Sequence, residues 1–345
     1  MTLRSTPRWR APQRLLAVGL LLACTALLAP GCGDKEEKQT IVYAGSAWFG
    51  HAPAWVGIQK GIFAKHGFEV EQRSFGASSF RVNALENGDA QFASLGQVAM
   101  LSAMAANRRD FYWVGCQNNA PGNEGLVAVG GIKRIEDLKG KRIALPQTSS
   151  AHLTVALLLE DAGLDITKDV TVIPGTDATI PDILAGGDAD AGITWEPHYA
   201  RLLGLPDSTL LATDEDTSIF KQFGTMTGPD VICASRAWVD ADPARAKKFF
   251  QAYWEACVWC RDHPDELVEL VAKHLGKTEP SEREAVERTL RRIQWTSWAD
   301  QKDVMSTKRM LGQAKAAGGL LARLGMIDKE PSFLDWTRLD WFRPE

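Results

Sequence analysis

The chain has 345 residues, too many for one small domain, and its 45% hydrophobic and 24% charged residues are the balance of a folded globular protein, which excludes a disordered chain. The formal charge of −4 is unevenly spread: Arg4, Arg8, Arg10 and Arg14 stand in an acid-free opening stretch of 31 residues, so the remainder carries −8. An acidic body without a basic stripe argues against nucleic acid as a partner.

After Arg14 an apolar run covers residues 15–29, followed by Pro30-Gly31-Cys32 and a strongly polar stretch over 33–38. That is the layout of an export signal. The run falls short of the roughly 18 to 20 residues that span a bilayer, so cleavage is expected rather than retention as a membrane anchor. The cysteine at the cut resembles a bacterial lipoprotein signal, which implies that Cys32 is lipidated and ties the chain to the membrane, in the periplasm or at the cell surface. That family prefers leucine three places before the cysteine, where this chain has Ala29. Leu21-Leu22-Ala23-Cys24 fits the rule better but would leave the apolar segment 26–29 on the mature protein. Ordinary cleavage near the same place, with Cys32 incidental, is the alternative. Residues 1–31 are accordingly read as the export signal and 32–40 as a tether.

From Ile41 short β-type runs alternate with helical runs, the pattern of a mainly parallel sheet covered by helices. Residues 41–44 predict a strand, 52–60 a helix closed by Gly61, and 68–73 the next strand. The loop Gly76-Ala77-Ser78-Ser79 opens a helix that ends at Asn87-Gly88, and 90–93 form a brief strand. Residues 135–138 predict a short helix stopped by Gly140, then a strand ending at Pro146. Gln147-Thr148-Ser149-Ser150 leads into a helix over 151–161 that Gly163 ends. The first unit's order then returns: strand 170–173, loop 175–179, helix 180–185, and a turn and strand through Ile193. Gly88-Asp89-Ala90 and Gly187-Asp188-Ala189 occupy corresponding places, each glycine ending a helix where a left-handed backbone is needed. The doubled order predicts two related lobes. Beyond Asp230 long amphipathic helices are predicted over 243–261, 264–275, 281–293 and 304–324.

Cys116, Cys233, Cys257 and Cys260 lie in this body, and an oxidising compartment would permit disulfides among them. Cys257 and Cys260 form a Cys-x-x-Cys, but Phe249, Phe250, Tyr253 and Trp254 give it an apolar helical setting. A redox or zinc pair needs a strand-to-helix turn or a second ligand pair, so these are read as buried thiols. His51, His66, His152, His198, His263 and His274 show no helical metal spacing, and neither metal nor cofactor is expected. The chain carries no nucleophile elbow and no phosphate loop, so it is read as no enzyme.

The order His51-Ala52-Pro53, Lys60-Gly61-Ile62-Phe63, Gly76-Ala77-Ser78-Ser79, Asn87-Gly88-Asp89, Asp137-Leu138-Lys139-Gly140-Lys141-Arg142, Gly187-Asp188-Ala189 and Trp195-Glu196-Pro197 resembles periplasmic substrate-binding proteins of the taurine, alkanesulfonate and nitrate group. Thiamine-precursor binders are cousins of that group. The resemblance runs from Ile41 to Phe342 and implies an α/β fold of type II, with two lobes of mainly parallel five-stranded sheets joined by two crossing strands. Lobe one is expected over 41–122 plus 233–345 and lobe two over 123–232. It further implies a monomeric receptor that closes on a small organic solute and delivers it to an ABC permease and its ATPase. Extracytoplasmic sensing, a thiamine-precursor-like ligand, and an enzyme on the same scaffold are the rival readings.

Three predicted helix starts then face the cleft: after Gly50-His51, at Ser78-Ser79, and at Thr148-Ser149-Ser150, where free amides and hydroxyls suit a sulfonate or carboxylate. Capping of their own helices is the alternative role of those hydroxyls. Glu124 and Asp230 fall at the expected lobe crossings and resemble positions where taurine binders keep acids, so they are candidates for an ammonium group. Trp48 stands where those receptors have a small or acidic residue, and Glu196 replaces a small apolar one. With Phe49 and Trp195 these departures point to a larger or more cationic ligand. His51 and His152 sit beside helix starts and are candidate donors.

Overall fold

The computed structural model describes residues 40–277 and 279–342. The basic opening stretch, the apolar run, Cys24 and Cys32 lie outside the described residues, and among those described no helix is long and apolar enough to cross a membrane.

Two five-stranded sheets organise the chain. The first takes β1 (Thr40–Gly45), β2 (Glu69–Ser74), β3 (Phe92–Gly96) and β4 (Phe111–Cys116). After the two-residue β5 (Asn118–Asn119), the second takes β6 (Glu124–Ala128), β7 (Arg142–Leu145), β8 (Thr171–Pro174), β9 (Ala191–Trp195) and β10 (Thr209–Thr213). The chain then returns through β11 (Asp230–Ser235) to the first sheet, and β12 (Gln294–Trp295) pairs with β5. The orders are β2-β1-β3-β11-β4 and β8-β7-β9-β6-β10. In each, the fourth strand alone runs against the other four: β11 is antiparallel to β3 and β4, and β6 to β9 and β10. β11 lies wholly in the first sheet from Asp230, whose register partner is Gly96.

The sequence explains the layering. Central β1, β3 and β6 are almost continuously apolar and buried, as strands covered on both faces must be. Edge strand β2 is Glu-Val-Glu-Gln-Arg-Ser, whose charges blunt its unpaired rim. Helices α1 (Ala52–Gln59), α2 (Ile62–Lys65), α3 (Ser78–Asn87) and α4 (Gln97–Ala105) cover the first sheet, and α5 (Ser150–Asp161), α6 (Ile180–Ala185), α7 (His198–Leu203) and α8 (Ser218–Phe223) the second. Gly88 ends α3 at φ +78° and Gly187 follows α6 at φ +76°, so the repeated Gly-Asp-Ala forms the same left-handed turn twice.

The remaining helices are α9 (Arg236–Ala241), α10 (Pro243–Asp262), α11 (Pro264–His274), α12 (Pro280–Arg292), α13 (Gln301–Val304) and α14 (Met310–Arg323). α10 lays Phe249, Phe250, Tyr253 and Trp254 against Tyr43 and Phe92 of the first sheet. Each such aromatic contributes about 2–3 kcal/mol of burial. Cys257 and Cys260 lie buried and free in this helix, as do Cys116 and Cys233 in their strands; burial pushes the Cys116 thiol up to about 12 and the others well above their ordinary value. Two sequence expectations change. The brief strand starts at Phe92 rather than Ala90 and runs straight into α4, with Gly96 at the junction. The helix expected over 304–324 is interrupted, because the Thr307 carbonyl folds against Gly312, where any Cβ would collide with it. α14 is rich in Ala and Gly and packs against α4 of the first half and α5 and α8 of the second.

Candidate ligand-binding site

β1 ends at Gly45 and a single tight turn, Phe49–His51, leads into α1, which places Trp48 and His51 at the carboxyl edge of the first sheet. His51 is only 1% exposed. Its Nδ1 accepts from the Ser46 amide at 3.0 Å, so the ring proton resides on Nε2, which has no partner. Burial, reinforced by Arg81, holds the imidazole well below its usual range and hence neutral. Asp230, the first residue of β11, brings Oδ1 to 3.9 Å from that Nε2, beyond hydrogen-bond reach. Its Oδ2 accepts from Trp48 Nε1 at 2.5 Å. Burial raises the Asp230 carboxyl to about 6, with the Trp48 bond and the Arg81 charge opposing.

Gly50 makes this possible. Gln117 Nε2 and Asn118 Nδ2 both donate to its carbonyl, at 2.8 and 2.9 Å, and a Cβ there would strike the Trp48 indole nitrogen and lie 2.6 Å from Asp230 Oδ2. Phe49 is buried beneath, stacked on Trp48 at 6.0 Å, and supports that indole.

At the start of α3 Ser79 is exposed, whereas Ser78 Oγ accepts from the Gly96 amide at 3.0 Å and from Arg81 Nη2 at 2.7 Å. Arg81 is 4% exposed and also donates to the Ser94 and Phe75 carbonyls.

The second half is wired in the opposite sense. Glu124, first residue of β6, is buried and accepts from Ser150 Oγ and Thr154 Oγ1 of α5, each at 2.6 Å. Burial raises its carboxyl while the two hydroxyls oppose. Thr148 Oγ1 donates to Gln147 O and Ser149 Oγ to Pro146 O, so the three hydroxyls of this helix start all donate inward, and none caps α5. The α5 amino end thus already faces a carboxylate of its own chain. Trp195 pairs with Glu124 across β6 and β9 and is half-buried. His152 Nδ1 accepts weakly from the Thr148 amide, and burial lowers its ring. Glu196 is buried and committed: Oε1 accepts from Arg288 Nε at 3.2 Å, Oε2 from the Ala200 amide.

The halves touch at this level. A Cβ on Gly228, two residues before Asp230, would lie 2.6 Å from Ser150 Cβ, so α5 seats directly on the returning chain. Trp48, His51, Ser78 and Asp230 therefore gather on the first sheet and Glu124, Ser150 and Trp195 on the second, while Phe49 and Glu196 support from behind. Sequence reading missed Arg81, Thr154 and Arg288. Arg81 had a signal: a basic residue in the first turn opposes the helix dipole and calls for another reason to be there. Among the described residues no group of three or more His, Cys, Asp or Glu side chains could hold a metal ion. A separate small pocket between α10, α11 and α12, lined by Leu267, Leu290 and Trp295 with Arg261 and Arg291, brings no buried polar groups together.

Residues 48–267 match the family model described as NMT1/THI5 like. The chain is similar to the taurine-binding periplasmic protein of Escherichia coli (strain K12), with 30% identity over 238 residues, 68% of this chain and 70% of that protein. Its structure is similar to that of the alkanesulfonate-binding protein SsuA from Xanthomonas axonopodis pv. citri bound to MOPS, at 21% identity and a TM-score of 0.69, covering 86% of this chain and 97% of that one. A second neighbour is the periplasmic aliphatic sulphonate binding protein SsuA of Escherichia coli, at 19% identity and a TM-score of 0.69 over 86% and 91% of the two chains. The fold is that of the periplasmic binding proteins, as the sequence resemblance implies.

Proposed function

Because the chain belongs to the NMT1/THI5-like family, we propose that it is the extracytoplasmic solute-binding protein of an ABC importer, which captures a small organic sulfonate- or amine-bearing molecule between its halves and catalyses no reaction. The observation that carries this reading is the opposed polarity of the two sides. The first presents donors: the unpartnered His51 Nε2–H, the amides at the start of α3 and the Ser78 hydroxyl. On the second, the buried Glu124 carboxylate takes the Ser150 proton, and Thr148 and Ser149 give theirs to backbone carbonyls, so these hydroxyls keep lone pairs for a donor. A dipolar solute fits with its acidic head on the first half and its donor end toward the second, while Asp230 Oδ1 takes a further donor. Trp48 and Trp195 supply aromatic faces for an organic cation.

A solute that touches both halves favours their closed arrangement, and a permease can read that arrangement. In this reading the export signal is cleaved, Cys32 carries a lipid, and the receptor works as a membrane-anchored monomer in the periplasm or at the cell surface. Calorimetric titration of the mature protein with taurine, MOPS, short alkanesulfonates, amines and aromatic acids tests this, alongside mass spectrometry of co-purifying solute. Saturable binding at micromolar levels is expected; its absence across the panel, or turnover of a bound molecule, would overturn the reading.

A further inference from the structure

Arg81 is out of place by two measures. It lies in the first turn of α3, where the helix dipole disfavours a cation. It is also 4% exposed, with no carboxylate in ion-pair reach among the described residues, so its charge is desolvated without direct compensation. Three of its five N–H donors are directed at carbonyls: Nε at Ser94 O and Nη1 at Phe75 O, both at 2.7 Å, and Nη1 again at Gly76 O at 3.5 Å. Only Nη2 reaches a side chain, Ser78 Oγ, at 2.7 Å.

A serine hydroxyl has two lone pairs and one proton. Both lone pairs of Ser78 are taken, one by Arg81 Nη2–H and one by the Gly96 amide at 3.0 Å. Its proton must therefore be donated outward, and no acceptor for it is present among the described residues. A hydroxyl that accepts from a guanidinium is also a stronger donor, because hydrogen bonds in a chain polarise one another. His51 Nε2–H is a second unsatisfied donor at the same sheet edge, and its imidazole feels the Arg81 charge.

We infer that Arg81 and Ser78 form a charge-selecting relay, in which the buried guanidinium makes the Ser78 hydroxyl an obligate donor at the start of α3, so that the first half prefers an anionic oxygen of a sulfonate or carboxylate to a neutral oxygen of the same shape. This rests on the solute-binding reading and names the residue that sets its charge preference. Arg81 is a positioning residue: it acts through Ser78 and the helix start.

The test compares taurine and MOPS, each beside its uncharged-head sulfonamide, by calorimetry on the mature protein and on Ser78→Ala, Ser78→Thr, Arg81→Lys and Arg81→Met, with thermal melts of each. In Ser78→Ala the preference for sulfonate over sulfonamide should fall by roughly tenfold to a hundredfold, the loss of one charge-assisted bond. Ser78→Thr should restore it, and Arg81→Lys should keep more of it than Arg81→Met. A merely structural role would weaken sulfonate and sulfonamide by the same factor in Ser78→Ala, and an unchanged ratio there overturns the relay. If Arg81→Met fails to fold, the two Ser78 variants decide alone. Failure of the solute reading shows separately, in the unaltered protein binding none of the four compounds, and the relay falls with it.

Discussion

Asp230 trades stability for an acceptor. Its carboxyl sits near 6 in the folded protein, above its usual value, so the native state holds a proton that the unfolded chain has released between about pH 4 and 6. The favourable contribution is full below pH 4 and gone once pH has risen through 6, leaving a buried charge that opposes folding at neutral pH. Asp230→Asn, whose amide oxygen can still accept from Trp48, should therefore raise stability on the order of 1–3 kcal/mol at pH 8, with the gain shrinking toward pH 4. Urea melts across that range check it. The same variant should weaken an amine-bearing ligand by about 1.5–3 kcal/mol, and for the unaltered protein such binding should fade as pH drops below 6. Gly50→Ala tests the Trp48–Asp230 contact: its Cβ would strike the indole nitrogen and press on Asp230 Oδ2, so ligand affinity and melting temperature should both fall, in calorimetry and thermal melts.

At the scale of the element, α5 is held to β6 by Glu124. Both oxygens of that carboxylate are satisfied by hydroxyls from the helix's first two turns, and the dipole at the helix start adds to the attraction. Thr154→Val keeps the shape and removes one donor, leaving a buried carboxylate oxygen unpaired. The expected cost is about 1–3 kcal/mol in chemical denaturation, with the Glu124 carboxyl pushed further up. Helix starts were legible in the sequence, since Ser78-Ser79 and Thr148-Ser149-Ser150 stand where α3 and α5 begin. Their polarity was not. A hydroxyl serves equally as donor or acceptor, and only the neighbouring chain determines which role is left for a solute.

Across the whole molecule, the C-terminal helices tie one half to the other. Arg288 of α12 pairs with Glu196 beyond β9, and Arg292 donates to the Gly122 carbonyl at 3.0 Å. Glu196 is buried and Arg288 is 41% exposed, so the pair lies between surface and interior in character. Arg288→Ala should cost about 1–3 kcal/mol and loosen the two halves, seen as a larger radius of gyration in solution scattering without ligand and as weaker ligand affinity.

The sequence by itself determined what is local or periodic: the alternation of strand and helix, the twice-used Gly-Asp-Ala turn, the apolar face of α10 that buries Cys257 and Cys260, and through the ordered motifs the family. It also brought Asp230, Glu124, Trp48 and Trp195 forward as candidates. Tertiary structure alone decided that β11 joins the first sheet from Asp230, that α14 starts only at Met310, that Glu196 is held by Arg288, and that a buried Arg81 stands behind Ser78. Periodicity and turn chemistry act between residues a few positions apart, so one stretch of chain can display them. Burial, lone-pair occupancy and charge compensation depend on partners such as Asp230 for Trp48, or Arg288 for Glu196, which meet only when distant segments pack.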